Sequence, residues 1–177
     1  DPAKRDPKTR QSADHSMVYI VSTLLRKAIE MAQSTKSTKL GHCDNCYWKN
    51  LMLVPHDYAP DAIVHKQTRA LMEKFEFTHG GPEYDRRYPD GIPTALVIHM
   101  KDGAKFDSGL VMYPAGHARN TKADLKGILA KKALLLGALA SDNAQPIIER
   151  FNRIAAMSAA DLGGLNDFSI ANRGHYE

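Results

Sequence analysis

Two apolar runs meet at an Asp-Gly step. Residues 94–101 (TALVIHMK) and 104–113 (AKFDSGLVMY) flank Lys101-Asp102-Gly103. Asp-Gly between alternating apolar runs is a strong hairpin signal, because turns of the primed types need the positive φ that glycine adopts without strain. The pattern predicts two antiparallel strands with Gly103 at positive φ. Residues 74–78 (KFEFT), where Phe75 and Phe77 alternate with polar neighbours, predict a further strand, and a turn-rich segment at 79–93 (HGGPEYDRRYPDGIP) follows it.

Around this sheet the apolar spacing is helical. Met17, Ile20, Val21, Leu24, Leu25 and Ala28 follow the i, i+3, i+4, i+7 rhythm of one helix face. Ser12 or Asp14 is suited to cap that helix, which places His15 in its first turn, and the polar run STKSTKLG at 34–41 stops it. Residues 66–73 predict a short helix. From Thr121, a suitable cap, another runs through Leu125, Ile128, Leu129, Lys132, Leu135, Leu136 and Leu139. Pro146 fits the first turn of a helix over 146–157 with Ile147, Ile148, Phe151 and Ile154 on one side, and a last short helix covers 158–163. Residues 41–60, with a CxxC, Trp48 and two prolines, read as an ordered loop or insertion. No internal repeat is visible. The order of elements predicts an α+β fold: a small antiparallel sheet with helices.

The 177 residues, 43% hydrophobic and 25% charged, suffice for a core and for one domain or two small ones. Net charge is +4 with pI about 9.0, but the basic residues are spread along the chain and aromatics are 7%, so a small anionic ligand is served as well as nucleic acid and no nucleic-acid groove is expected. The two cysteines, Cys43 and Cys46, give no secreted-type disulfide framework, and reducing conditions are expected. No apolar run approaches the roughly 20 residues that cross a bilayer, and the opening DPAKRDPKTR has no signal-peptide core. That polar opening without Met suggests a piece of a longer protein.

Two motifs carry candidate chemistry. A histidine at a helix start sits among unpaired N–H groups at the positive end of the dipole, which lowers its pKa and attracts carboxylates. Neutral His15 would there accept a proton near pH 7; the alternative is a capping-region histidine bonded by Asp14. In GHAR at 116–119, Gly116 permits a tight turn, His117 can donate or accept a proton, and Arg119 can hold a carboxylate through two parallel bonds, the alternative being a solvated connection. A zinc site needs four ligands, whereas one CxxC with His42 supplies three, so Cys43 and Cys46 read as loop thiols and no metal is expected. Tyr47 and Trp48 read as packing aromatics of the insertion, His99 as a sheet residue, His56, His65 and His79 as loop or helix-end residues, and Lys126, Lys131 and Lys132 as a solvated helix face.

SADHSMVYIV, DGIPTALVIHMKDGAKF and YPAGHARNT, in that order and spacing, resemble the C-terminal part of the MmgE/PrpD family, from about residue 10 to about 140. The likeness is closest to eukaryotic, fungal-type members that dehydrate 2-methylcitrate in propionate breakdown. The resemblance implies an α+β C-terminal domain over 1–145 with an insertion at about 40–60. It also implies helices at 146–177 that return to an all-helical N-terminal domain absent from these residues. It implies a homodimeric lyase in the mitochondrial matrix, acting on a small tricarboxylate with no metal or other cofactor, and no nucleic-acid or membrane partner. His15 matches the family's Asp-His histidine, a candidate catalytic acid or base. His117 and Arg119 match the Gly-His-x-Arg stretch and, with Arg10, are candidate substrate-holding groups. Related cis-aconitate decarboxylases share the fold, and the fungal ones lack a histidine at the position of His15, which favours the dehydratase. A noncatalytic binding or dimerisation module is the reading from another class.

Overall fold

A computed structural model describes residues 2–34 and 44–171. Among them are helices α1 (Pro2–Arg5), α2 (Arg10–Asp14), α3 (Met17–Ser34), α4 (Asp44–Leu51), α5 (Pro60–Ile63), α6 (Lys66–Met72), α7 (Gly81–Arg87), α8 (Leu125–Gly137), α9 (Gln145–Asn152) and α10 (Ala159–Gly163). Strands β1 (Val97–His99) and β2 (Lys105–Asp107) form an antiparallel two-stranded sheet, so the fold is α+β. The chain divides into two units, Asp1–Phe75 with Gly127–Glu177, and Glu76–Lys126.

In the first unit α3 is the organising element, but it buries a face other than its apolar stripe. Val18, Tyr19, Ser22 and Thr23 are buried, Val18 and Tyr19 clustering with Ala13, Ile63 and Met72, while Ile20, Val21, Leu24, Leu25 and Ala28 are half-buried and Met17 is exposed. Polar groups select that face. The Tyr19 hydroxyl donates to the carbonyl of Asp57 at 2.5 Å, Arg26 Nε donates to Thr68 Oγ1 at 3.0 Å, and Lys27 Nζ pairs with Asp57 at 2.8 Å. Buried polar groups are tolerated when they are bonded, and these bonds orient α3 against α6 and the turn at Pro55–Tyr58. Burying a side chain as large as Tyr19 is worth roughly 1.5–3 kcal/mol, which makes it the centre of this core. Tyr58 lies beside it, ring centroids 6.0 Å apart, and burial pushes its phenol up to about 12. Arg69 fastens the N-terminal segment, donating to Asp6 at 2.6 Å, to the Pro7 carbonyl at 2.6 Å and to the Ile63 carbonyl at 2.7 Å.

Four sequence expectations need correction here. Residues 74–78 form no strand: Lys74 and Phe75 close the end of α6 with amide bonds back to Leu71 and Met72, and Phe75 packs on the core. The turn-rich segment contains α7, where Pro82 lies in the first turn and Glu83 pairs with Arg86 and Arg87. The 41–60 segment contains α4 and the Pro55–Tyr58 turn, with Tyr47 and Trp48 exposed on α4. His42 and Cys43 lie outside the described residues. Finally, α8 opens at Leu125, four residues after Thr121, because Asn120 Oδ1 accepts the amides of Lys122 and Ala123 at 2.9 Å and holds them in a turn.

In the second unit the hairpin is present but shorter than its apolar runs. Gly103 has φ +88°, as expected, yet no described non-glycine residue has positive φ, which excludes a primed turn at Asp102-Gly103. Instead the Gly103 amide donates to the Met100 carbonyl and Met100 to the Ala104 carbonyl, the three-residue loop that ends in a left-handed glycine. Val97 pairs with Asp107 and Thr94 with Val111, so the second strand carries one extra residue between the pairs. Gly109, φ +63°, supplies that bulge and ends the regular ladder. His99 is exposed at the end of β1 rather than packed within the sheet.

The C-terminal helices belong to the first unit. Gly137 makes the α8–α9 corner possible, since a Cβ there would lie 2.7 Å from Ala144 Cβ. The helix expected over 146–157 stops at Asn152 and a 3-10 turn covers Ile154–Ala156; α10 follows, capped by Ser158 and reciprocally by Asp161. Among the described residues no helix is long and apolar enough to cross a membrane.

Candidate functional site

Each candidate residue is placed by its own short stretch. Thr9 caps α2 in a capping box with Ser12, Arg10 opens that helix, and His15 closes it. Ser16, not Ser12 or Asp14, caps α3: its Oγ accepts the Tyr19 amide at 3.1 Å. His15 therefore stands before the cap of α3 and at the C-terminal end of α2. That difference reverses its electrostatics. It faces the negative end of a helix, where the Gln11 carbonyl accepts from Nδ1 at 2.9 Å and the Asp14 carboxylate takes a second short contact with the same nitrogen. The Gln11 carbonyl first, and Asp14 second, raise the pKa of His15, where the sequence alone predicts a lowering.

Both partners of Nδ1 are acceptors, so Nδ1 carries the proton and Nε2 of the neutral ring offers a lone pair. The side chain is exposed. Chemically this is a base whose strength is raised by its partners. Arg10 is exposed at the opposite end of α2, so the helix does not bring Arg10 and His15 to one point.

His117 and Arg119, in the second unit, are drawn together. The connection leaving the hairpin turns at Pro114 and His117, whose amide bonds back to the Pro114 carbonyl at 2.9 Å. His117 stacks on Tyr113, ring centroids 4.8 Å apart and 21° between planes, and its Nδ1 accepts the Arg119 amide at 3.0 Å. Neutral His117 is therefore protonated on Nε2, the reverse of His15: its free nitrogen is a donor. Arg119 donates to Tyr113 Oη at 3.3 Å, and its guanidinium lies 5.8 Å from the ring centroid. Sequence reasoning missed Tyr113; the signal was an aromatic four residues before the histidine. It also missed Asn120, which donates to the Tyr113 carbonyl at 2.9 Å.

Among the described residues no group of three or more His, Cys, Asp or Glu is arranged to hold a metal ion. A concavity on α9 and α10, lined by Pro146, Glu149, Arg150, Arg153 and Asp161 among others, includes none of the candidate residues Arg10, His15, His117 and Arg119. Its Arg150 is committed to the carbonyls of Gly164, Leu165 and Asp167.

A family model described as MmgE/PrpD C-terminal domain matches residues 50–154, more than half of the chain. Tyr113, His117 and Arg119 lie inside the matched span, Arg10 and His15 upstream of it. No curated protein and no solved structure matches the chain.

Proposed function

The chain belongs to the MmgE/PrpD family, which includes dehydratases, and on that premise we propose that it is part of a hydro-lyase converting 2-methylcitrate to 2-methyl-cis-aconitate. The single observation that carries the reading is the 50–154 match with the His117 and Arg119 pair inside it. The Asp14–His15 pair adds a group of suitable chemistry.

Dehydration needs a base for the proton α to a carboxylate, an acid for the leaving hydroxyl, and cations for the carboxylates. His15 Nε2 is the base: it takes the proton, the C–H pair becomes the double bond, and the C–O bond breaks. Hydroxide leaves as water with a proton from an acid that we assign to the N-terminal helical domain. Arg119 and the Nε2–H of His117 hold carboxylates, with Arg10 as a further cation. The half-buried stripe of α3 is the surface assigned to the helical domain, within a homodimer of the mitochondrial matrix.

The test is His15→Asn in the full-length protein supplied with 2-methylcitrate. Loss of the enoate absorbance, with the far-ultraviolet circular dichroism of the parent, is expected. Unchanged turnover would reject the assignment and leave a binding or dimerisation module, and release of carbon dioxide from cis-aconitate would mark a decarboxylase instead.

A further inference from the structure

We propose that Tyr113 is a positioning residue that holds His117 and Arg119 as one preformed carboxylate-binding pair; this rests on the reading of those two residues as substrate-holding groups. His117 and Arg119 are both exposed, and a long guanidinium side chain alone would sample many rotamers. Tyr113, half-buried at the root of the same loop, limits them in two ways. Its ring face carries the His117 imidazole at 4.8 Å, and its hydroxyl accepts from the Arg119 guanidinium at 3.3 Å. Asn120 fixes the tyrosine's own backbone through the Tyr113 carbonyl and, through the amides of Lys122 and Ala123, ties it to the approach of α8.

The Arg119 amide fills Nδ1 of His117, so the imidazole presents Nε2–H outward, and the guanidinium keeps donors beyond the one given to Tyr113. The ligand that matches two such donors on one loop is a carboxylate. Preorganisation of this kind acts on binding, because it removes the ordering cost that a free arginine would meet when substrate arrives.

Kinetics of the full-length protein with 2-methylcitrate test this. Tyr113→Phe keeps the stack and loses the hydroxyl, and is expected to raise KM about 3- to 10-fold with kcat within about twofold. Tyr113→Leu loses both contacts and is expected to raise KM further, so that phenylalanine is a partial rescue. In an Arg119→Gln background Tyr113→Phe should add nothing, since the bond it removes is already gone. A general loosening of the loop would instead raise KM by the same factor in both backgrounds, and would overturn the proposal. So would an unchanged KM in both Tyr113 variants while Arg119→Gln raises it, which leaves the carboxylate site standing without its positioning residue. If Arg119→Gln and His117→Asn both leave KM unchanged, the reading of the site fails, and the positioning role fails with it. Melting curves of Tyr113→Phe, close to the parent in shape and volume, verify that the fold is kept.

Discussion

The Gln11 carbonyl and the Asp14 carboxylate converge on one nitrogen of His15, and that decides which way the ring titrates. A histidine whose folded pKa is raised contributes stability that is fully present below its unfolded value, about 6.5, and is lost as pH rises through the folded value. The same shift has the opposite consequence for a base, which must be unprotonated to act. Activity should fall as pH drops through the raised pKa, and Asp14→Asn should move this acidic limb of kcat/KM to lower pH, since Asp14 is one of the two causes of the rise. A limb that stays in place would detach His15 from the proton transfer. Ser22 offers a residue-scale prediction of stability. Its hydroxyl is buried and, among the described residues, has no hydrogen-bond partner. Ser22→Ala should leave the denaturation midpoint unchanged or raise it, because it removes a desolvated polar group at little cost in volume.

At the scale of elements, the hairpin hangs on Gly103 and the core on Tyr19. Gly103→Ala would force an L side chain to φ +88° and should cost on the order of 1 kcal/mol, read as faster amide exchange at Met100 and Gly103. Tyr19→Phe keeps the packing and deprives the Asp57 carbonyl of its donor, at a cost of about 1 kcal/mol in urea denaturation. Helices were legible where an apolar rhythm had a clear punctuation mark: Pro146 opens the first turn of α9 and Gly163-Gly164 ends α10. Elements were misread where short-range signals competed. Phe75 and Phe77 alternate like a strand, but Phe75 finds its burial against the α3 core without one. Gly80, Gly81 and Pro82 read as turn residues although proline at the start of a helix is favourable, and α7 begins there.

For the whole molecule, the apolar stripe of α3 is the surface to test. Ile20, Val21, Leu24, Leu25 and Ala28 remain half-buried while a more polar face is enclosed, and Leu135 of α8 and Leu139, two residues past its end, are likewise half-buried. Leu24→Glu in the full-length protein separates two situations. On the proposed reading a helical domain covers the stripe and the charge should cost about 2 kcal/mol or more, whereas an exposed surface would tolerate it within about 0.5 kcal/mol. The sequence by itself determined the fold class, the hairpin with its left-handed glycine, the rhythm of the main helices and the family, because these depend on local backbone preference and residue order. Tertiary structure alone decided which face of α3 is enclosed, which nitrogen of His15 and of His117 carries the proton, and that Tyr113 joins His117 to Arg119. Those depend on where carbonyls, carboxylates and rings stand in space, and residue spacing does not encode the direction of a hydrogen bond.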